Sequence, residues 1–144
     1  MKAKIFLIVI VLLAYGAAIF VPFEPRERRP GGRLSGPDAS STDVSWDGRK
    51  QILVETSTWY LIPHSVTTIA WAKDGTIYVP CGACSTKRWP KNVASRPRVR
   101  LKIDGEIHHR RAVQVTDREE LHWVLEVPPK EHPDAGVAVF RMET

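Results

Sequence analysis

Cysteine is almost absent from this chain. Only Cys81 and Cys84 occur among 144 residues, in the order Cys-Gly-Ala-Cys. A structural zinc site wants four ligands. None of the five histidines falls in a metal-ligand motif, so no metal is expected. A thioredoxin-like redox pair needs a strand-to-helix βαβ setting, which the sequence does not show. Two free thiols in a pocket wall are the simplest expectation. A disulfide is the alternative if the domain lies outside the cytoplasm. Internal repeats are also missing, and so is a readable hydrolytic triad. His64 and Ser65 are neighbours and point to opposite faces of a strand. His122, beside Trp123, reads as a surface residue of a helix. No catalytic acid or base is therefore expected.

Charge is missing from one long run. Ile5–Phe23 holds nineteen residues and none is charged. A helix of that length nearly crosses the ~30 Å hydrocarbon layer. It has no polar face, which excludes the buried helix of a small soluble domain. A secretory signal would use Ala14, Gly16, Ala17 and Ala18 for cleavage. The apolar run continues through Ile19, Phe20 and Val21, which favours a single-pass anchor over residues 1–23. Arg26, Arg28, Arg29 and Arg33 after the span outnumber Lys2 and Lys4 before it, which leans the following domain to the cytoplasmic side. Residues 24–44 are rich in Pro, Gly, Ser and charge and lack a hydrophobic period, so a flexible linker is expected there. Residues 45–144 remain for one small domain.

Strand signals dominate that domain. They cover 51–57, 64–72, 76–81, 98–103, 106–116 and 136–142. Asp74-Gly75 and Asp104-Gly105 mark hairpins. Arg98–Ile103 alternates strictly, with Val99, Leu101 and Ile103 on one face. For the second hairpin a three-residue bulged loop, Asp104-Gly105-Glu106, pairs Ile103 with Ile107 and Arg98 with Ala112. It keeps apolar residues together and leaves His109 and Arg111 leaning inward. Two short helices are expected. One follows an Asp117 cap, with Leu121, Val124 and Leu125 as its apolar stripe. The other begins near Trp89-Pro90 and ends before Pro97. The fold class is mainly β: a small six-stranded split barrel with one or two short helices, preceded by a transmembrane helix.

Acids are absent from Lys87 to Lys102, where seven bases stand, while the net charge is only +5. Arg98, Arg100 and Lys102 share one strand face. Without interleaved aromatics that face does not suit base stacking, and no nucleic-acid partner is expected. A solvated face, or one drawn to anionic lipid headgroups, fits better. The bend before Trp89 is different. Gly82, Ala83, Ser85 and Thr86 lead into Lys87, Arg88 and a helix start. Free amides, hydroxyls and two cations there make an anion site beside a flat indole. The plain alternative is a solvated basic loop with Trp89 packed in the core.

The ordered run from Thr76 to Asp117 resembles the flavin- or deazaflavin-binding split β-barrels, which include deazaflavin-dependent nitroreductase-like and pyridoxamine-phosphate-oxidase-like proteins. It offers a strand, a small-residue loop, Trp89-Pro-Lys-Asn92, a spacer to Pro97, an alternating strand and a Gly turn. His64–Gly75 resembles the preceding strand and turn. The resemblance covers roughly residues 45–116. It implies a homodimer holding FMN or a deazaflavin between subunits. The phosphate would lie near Ser85, Thr86, Lys87 and Arg88; Trp89 and Asn92 would fix the loop; Thr68 would face the ring. The implied activity is a membrane-anchored oxidoreductase reducing a small nitro or quinone acceptor. A non-catalytic cofactor- or anion-binding module on the same fold is the alternative.

Overall fold

A computed structural model describes residues 2–43, 46–126 and 137–144. Val44 and Ser45 at the expected domain boundary, Val127 at the end of the acidic helix and Gly136 at the start of the last strand lie outside the described residues. The apolar run forms α1 (Lys2–Phe20), a helix of 19 residues with none of them buried. By length and composition it could cross a membrane.

Six strands follow: β1 (Gly48–Ser57), β2 (Pro63–Lys73), β3 (Thr76–Gly82), β4 (Arg98–Ile103), β5 (Glu106–Gln114) and β6 (Val137–Glu143). Every ladder is antiparallel, and the order β1-β2-β3-β6-β5-β4 closes on itself. Closure removes the exposed strand edges that an open sheet would leave to pair with other chains. The mainly β barrel expected from the strand pattern is thus the observed fold. Its interior is filled by the alternating apolar residues of the strands, with Ile52, Val54, Val79 and Leu101 buried to 2% exposure or less. Each such side chain contributes about 1.5–3 kcal/mol of burial.

Both Asp-Gly pairs form two-residue turns. Asp74 and Gly75 have φ of 49° and 75°, and Asp104 and Gly105 have 52° and 91°. Positive φ at both central positions matches the right-handed twist of the flanking strands. The first turn pairs Lys73 with Thr76, as its spacing suggests. The second corrects the bulged register. Ile103 pairs with Glu106, Leu101 with His108, and Val99 with Arg110. The apolar mismatch is resolved from outside the hairpin. Ile107, which this register turns outward, is covered by residues 37–39: its amide donates to Pro37 O at 2.8 Å, and its carbonyl accepts the Ala39 amide at 2.9 Å. Arg110 turns inward and is 7% exposed. Its guanidinium donates to Thr42 O at 2.6 Å and His109 O at 3.0 Å. His109 and Arg111 consequently face out.

The contacts at Ile107 belong to a longer strap. After α1 the chain makes a tight antiparallel turn at Arg26 and Arg29, Pro22 forms a parallel bridge to Arg33, and Gly31 bridges Ser65 of β2. Leu34 is 1% exposed, and its amide donates to Glu55 Oε2. Residues 24–43, expected as a flexible linker, are therefore laid along the barrel wall. The arm also changes the basic face of β4. Lys102 pairs with Glu24 and Arg100 with Glu55, so two of its three cations are neutralised. The Lys102 ammonium holds the Glu24 carboxyl below the usual carboxylate range, against a smaller opposing effect of burial.

Two helices complete the domain. In α3 (Arg118–Leu125) the Asp117 carboxylate accepts the Glu120 amide at 2.8 Å, the cap expected there. Val124 packs with Tyr78, Val115 and Val139. Glu120 accepts from Tyr78 and forms a two-pronged pair with Arg141. Burial, then the Glu120 carboxylate, pushes the Tyr78 phenol up to about 12. The other helix, α2 (Arg88–Ser95), buries Trp89, Asn92 and Val93 against the barrel.

Candidate functional site

The loop between β3 and α2 differs from its expected form. Cys81 and Cys84 are joined in a disulfide, with Cα atoms 5.5 Å apart, which corrects the expectation of two free thiols. The bridge closes a four-residue ring in which Ala83 takes a left-handed conformation, φ 50°. A 3-10 turn follows over Cys84–Thr86. Within it the Thr86 amide donates to Ala83 O at 3.1 Å and the Lys87 amide to Cys84 O at 3.2 Å. Thr86 Oγ1 also donates to Ala83 O, at 2.8 Å. These three donors are therefore spent inside the loop.

What the loop does present is charge. Lys87 and Arg88 line a cavity of about 350 Å³ together with Trp89. Its opposite wall is β2, through His64, Val66, Thr67 and Thr68. The third wall is the arm, through Glu27, Arg28, Arg29 and Pro30. Four cations thus meet at one opening, with Glu27 as the single acid. Among the described residues none of the four is in an ion pair. In the low-dielectric setting of a cleft, clustered cations raise the local concentration of anions.

His64 is the titratable group of the cavity wall. Burial, reinforced by the Arg88 guanidinium, holds it below its ordinary value of 6.5, so it is neutral at pH 7. Its Nδ1 is buried and has no hydrogen-bond partner among the described residues. A buried ring nitrogen without a partner costs free energy unless something fills that valence, and here it belongs to a residue of the cavity wall.

Of the seven residues expected at the site, Thr68, Lys87, Arg88 and Trp89 converge on this cavity, whereas Ser85, Thr86 and Asn92 do not line it. Ser85 is exposed. Asn92 points into the fold, where its Nδ2 donates to Thr56 Oγ1 at 2.9 Å, and Thr56 Oγ1 donates to His64 O at 3.2 Å. Asn92 thereby ties α2 to the strand that carries His64. Trp89 is 3% exposed, and its ring meets Phe140 at 4.9 Å between centroids. It is a core residue at the cavity floor and offers no open face for stacking. Sequence reasoning missed Arg28, Arg29 and His64. The arginines were legible only as the positive flank of the apolar span, and His64 as the first residue of a strand already expected near the site.

Comparison with solved structures shows the same architecture elsewhere. A NimC/NimA family protein from Clostridium acetobutylicum superposes with a TM-score of 0.51 at 16% identity, over 65% of this chain and 73% of that one. A protein described as a domain-swapped dimer gives 0.51 at 19% identity, over 67% and 81%. A putative pyridoxamine 5'-phosphate oxidase from Listeria innocua gives 0.48 at 14%, over 64% and 81%. No family model matches the sequence, and no curated protein matches it. The chain has the split-barrel fold, as the ordered run around Trp89 suggested.

Proposed function

We propose that this chain is a membrane-anchored oxidoreductase domain that holds a flavin or deazaflavin and reduces a small nitro- or quinone-type acceptor. The carrying observation is the meeting of Lys87, Arg88, Arg28 and Arg29 on a cavity whose wall contains the unpartnered His64 Nδ1. The cavity volume lies in the range of small-molecule sites, roughly 300–1,000 Å³. The cations fit the phosphate of either cofactor. Fit at the ring end is narrower. Trp89 is committed to the core, so Val66, Thr68 and Pro30 are the groups left to contact a flat ring.

When bound, the cofactor supplies hydride or electron transfer, and the protein orients it. Lys87 and Arg88 would hold its phosphate from one side and Arg28 and Arg29 from the arm. Neutral His64 could either donate or accept a hydrogen bond through Nδ1, according to its tautomer. Thr67 and Thr68 add hydroxyls along β2. No side chain is assigned a catalytic proton transfer. A homodimer belongs to this reading, since one protein of the same fold is described as a domain-swapped dimer. So does a single-pass anchor through α1, with the domain on the cytoplasmic side.

A second reading is favoured by the disulfide. Cys81–Cys84 suits an oxidising compartment, where the same cavity would bind an anion or cofactor without turnover by a cytosolic reductant. The experiment is purification of the full chain, spectroscopy and mass spectrometry of any bound small molecule, and titration with FMN and with reduced deazaflavin. Saturable binding, abolished by Lys87→Glu with Arg88→Glu, supports the cavity. Turnover of a nitro or quinone acceptor then supports the enzyme, and binding without turnover supports the module. Absence of binding to either cofactor at micromolar concentration rejects the oxidoreductase.

A further inference from the structure

The turn between β1 and β2 is unlike a soluble hairpin. From Thr56 to Pro63 the chain reads TSTWYLIP, without a charge. Polar turn residues and glycine normally occupy such a tip. Here Trp59 is 78% exposed and Leu61 51% exposed. Leu61 sits at φ 66°, a left-handed conformation that glycine or asparagine adopts more readily. The turn is nevertheless well tied. Thr58 donates through both its amide and its hydroxyl to Ile62 O, and the Leu61 amide donates to Thr58 O. Its carbonyl at Tyr60 accepts the Tyr15 hydroxyl at 2.6 Å.

That last bond joins the turn to α1. Tyr15 stands five residues before Phe20, the end of the helix. At the helical rise this is about 7.5 Å along the axis. If α1 spans a bilayer, the Tyr15 backbone lies about 7.5 Å inward from the helix end, and the turn bonded to its hydroxyl is held beside the layer ~5–10 Å deep at which interfacial apolar faces lie. Trp and Tyr are the residues that favour this layer. The strap reinforces the geometry, because Gly31 bridges Ser65 and leaves little free chain between helix and barrel. Exposed Phe20, Val21 and Phe23 continue the apolar surface at the end of α1, and Arg26 and Arg33, which do not line the cavity, follow directly, suited to phosphate headgroups.

We propose that the Trp59–Leu61 turn is a second membrane-contact element that inserts into the bilayer interface beside α1 and fixes the orientation of the barrel on the membrane. The inference rests on the reading of α1 as an anchor. A lipid surface is favoured over a second copy of the chain by size and continuity. Three turn residues fall far short of the roughly 20–30 residues a side of a stable protein interface, and they adjoin the lipid-facing helix. Because β2 runs from this turn through His64 to Thr68, the docked barrel brings its cationic cavity close to the headgroup layer.

The test uses the full chain in phosphatidylcholine/phosphatidylglycerol vesicles containing phospholipid brominated near the upper part of one acyl chain. Tryptophan emission should be quenched, and Trp59→Phe should remove about half or more of the quenchable signal, as expected for a tryptophan at the interface. Leu61→Asp should shift the Trp59 emission to the red and reduce its quenching while the chain still floats with the vesicles. Equal quenching of Trp59→Phe and the parent, both floating, overturns the proposal and leaves the anchor standing. Trp59 shielded from the brominated lipid and from aqueous iodide alike means that a second copy covers it, and also overturns it. A chain that does not float removes the anchor reading and the proposal together.

Discussion

Arg100 donates from Nη1 to Glu55 Oε2 at 2.7 Å, and the same carboxylate oxygen accepts the Leu34 amide at 2.7 Å. One buried acid on β1 thus ties β4 and the arm together. Glu55 is 5% exposed, so losing its charge leaves Arg100 and the Leu34 amide short of a partner. Removing one member of a buried pair costs ~3–5 kcal/mol, and the partial exposure of Arg100 places Glu55→Gln near the lower end. Urea titration should show that loss. Limited trypsin digestion should show faster cutting after Arg28 and after Arg33, the residue before Leu34. A variant as stable and as resistant as the parent would mean that the pair does not hold the arm.

Leu34→Ala separates packing from charge at the same place. A leucine at 1% exposure truncated to alanine costs about 2–5 kcal/mol. The arm carries two of the four cavity cations, so anion affinity should fall along with stability. Isothermal titration at a temperature where the variant remains folded gives the binding part. Unchanged affinity would show that Arg28 and Arg29 do not serve the cavity.

These two residues also show where sequence reasoning stops. The strands were legible because alternation and two Asp-Gly turns are local signals, and β4 falls on Arg98–Ile103 as expected. Asp117 capping α3 was legible for the same reason. The β4–β5 register was not. It depends on Ile107 being covered by residues 37–39, some seventy positions away, and no pattern within the hairpin carries that information. The arm itself was hidden by composition: a proline- and glycine-rich stretch reads as a linker, and Leu34, the one large apolar residue in 24–43, sets no period. At the cavity, Lys87 and Arg88 could be named because they adjoin a helix start. His64 and the arm arginines reach it only through the tertiary fold.

The Cys81–Cys84 bridge separates the two functional readings in cells. Both cysteines are in the disulfide, so maleimide added to intact, unreduced protein should modify neither. After reduction in denaturant, which exposes the buried Cys81, both should react. If the thiols in freshly lysed cells are already modified without reductant, the loop is kept reduced and the cytoplasmic enzyme is favoured. If they are protected, the domain lies in an oxidising compartment and the binding module is favoured.

Acidification should tune the cavity through His64. Burial and the Arg88 guanidinium hold its pKa below the ordinary 6.5. The folded state therefore prefers the neutral ring. Its contribution to stability is complete above about pH 6.5 and is lost as pH falls through the lower folded value. A bound anion reverses the preference, because it stabilises the imidazolium among Lys87, Arg88, Arg28 and Arg29, with Glu27 the only opposing charge in the wall. Sulfate is a suitable probe, since it stays a dianion from about pH 8 to about pH 5, where an unshifted histidine would titrate. Its affinity should rise across that range, and the melting temperature of the ligand-free protein should fall. His64→Gln should flatten the rise in affinity while leaving measurable binding to the four cations. Parallel pH profiles for parent and variant would show that His64 does not face the bound anion.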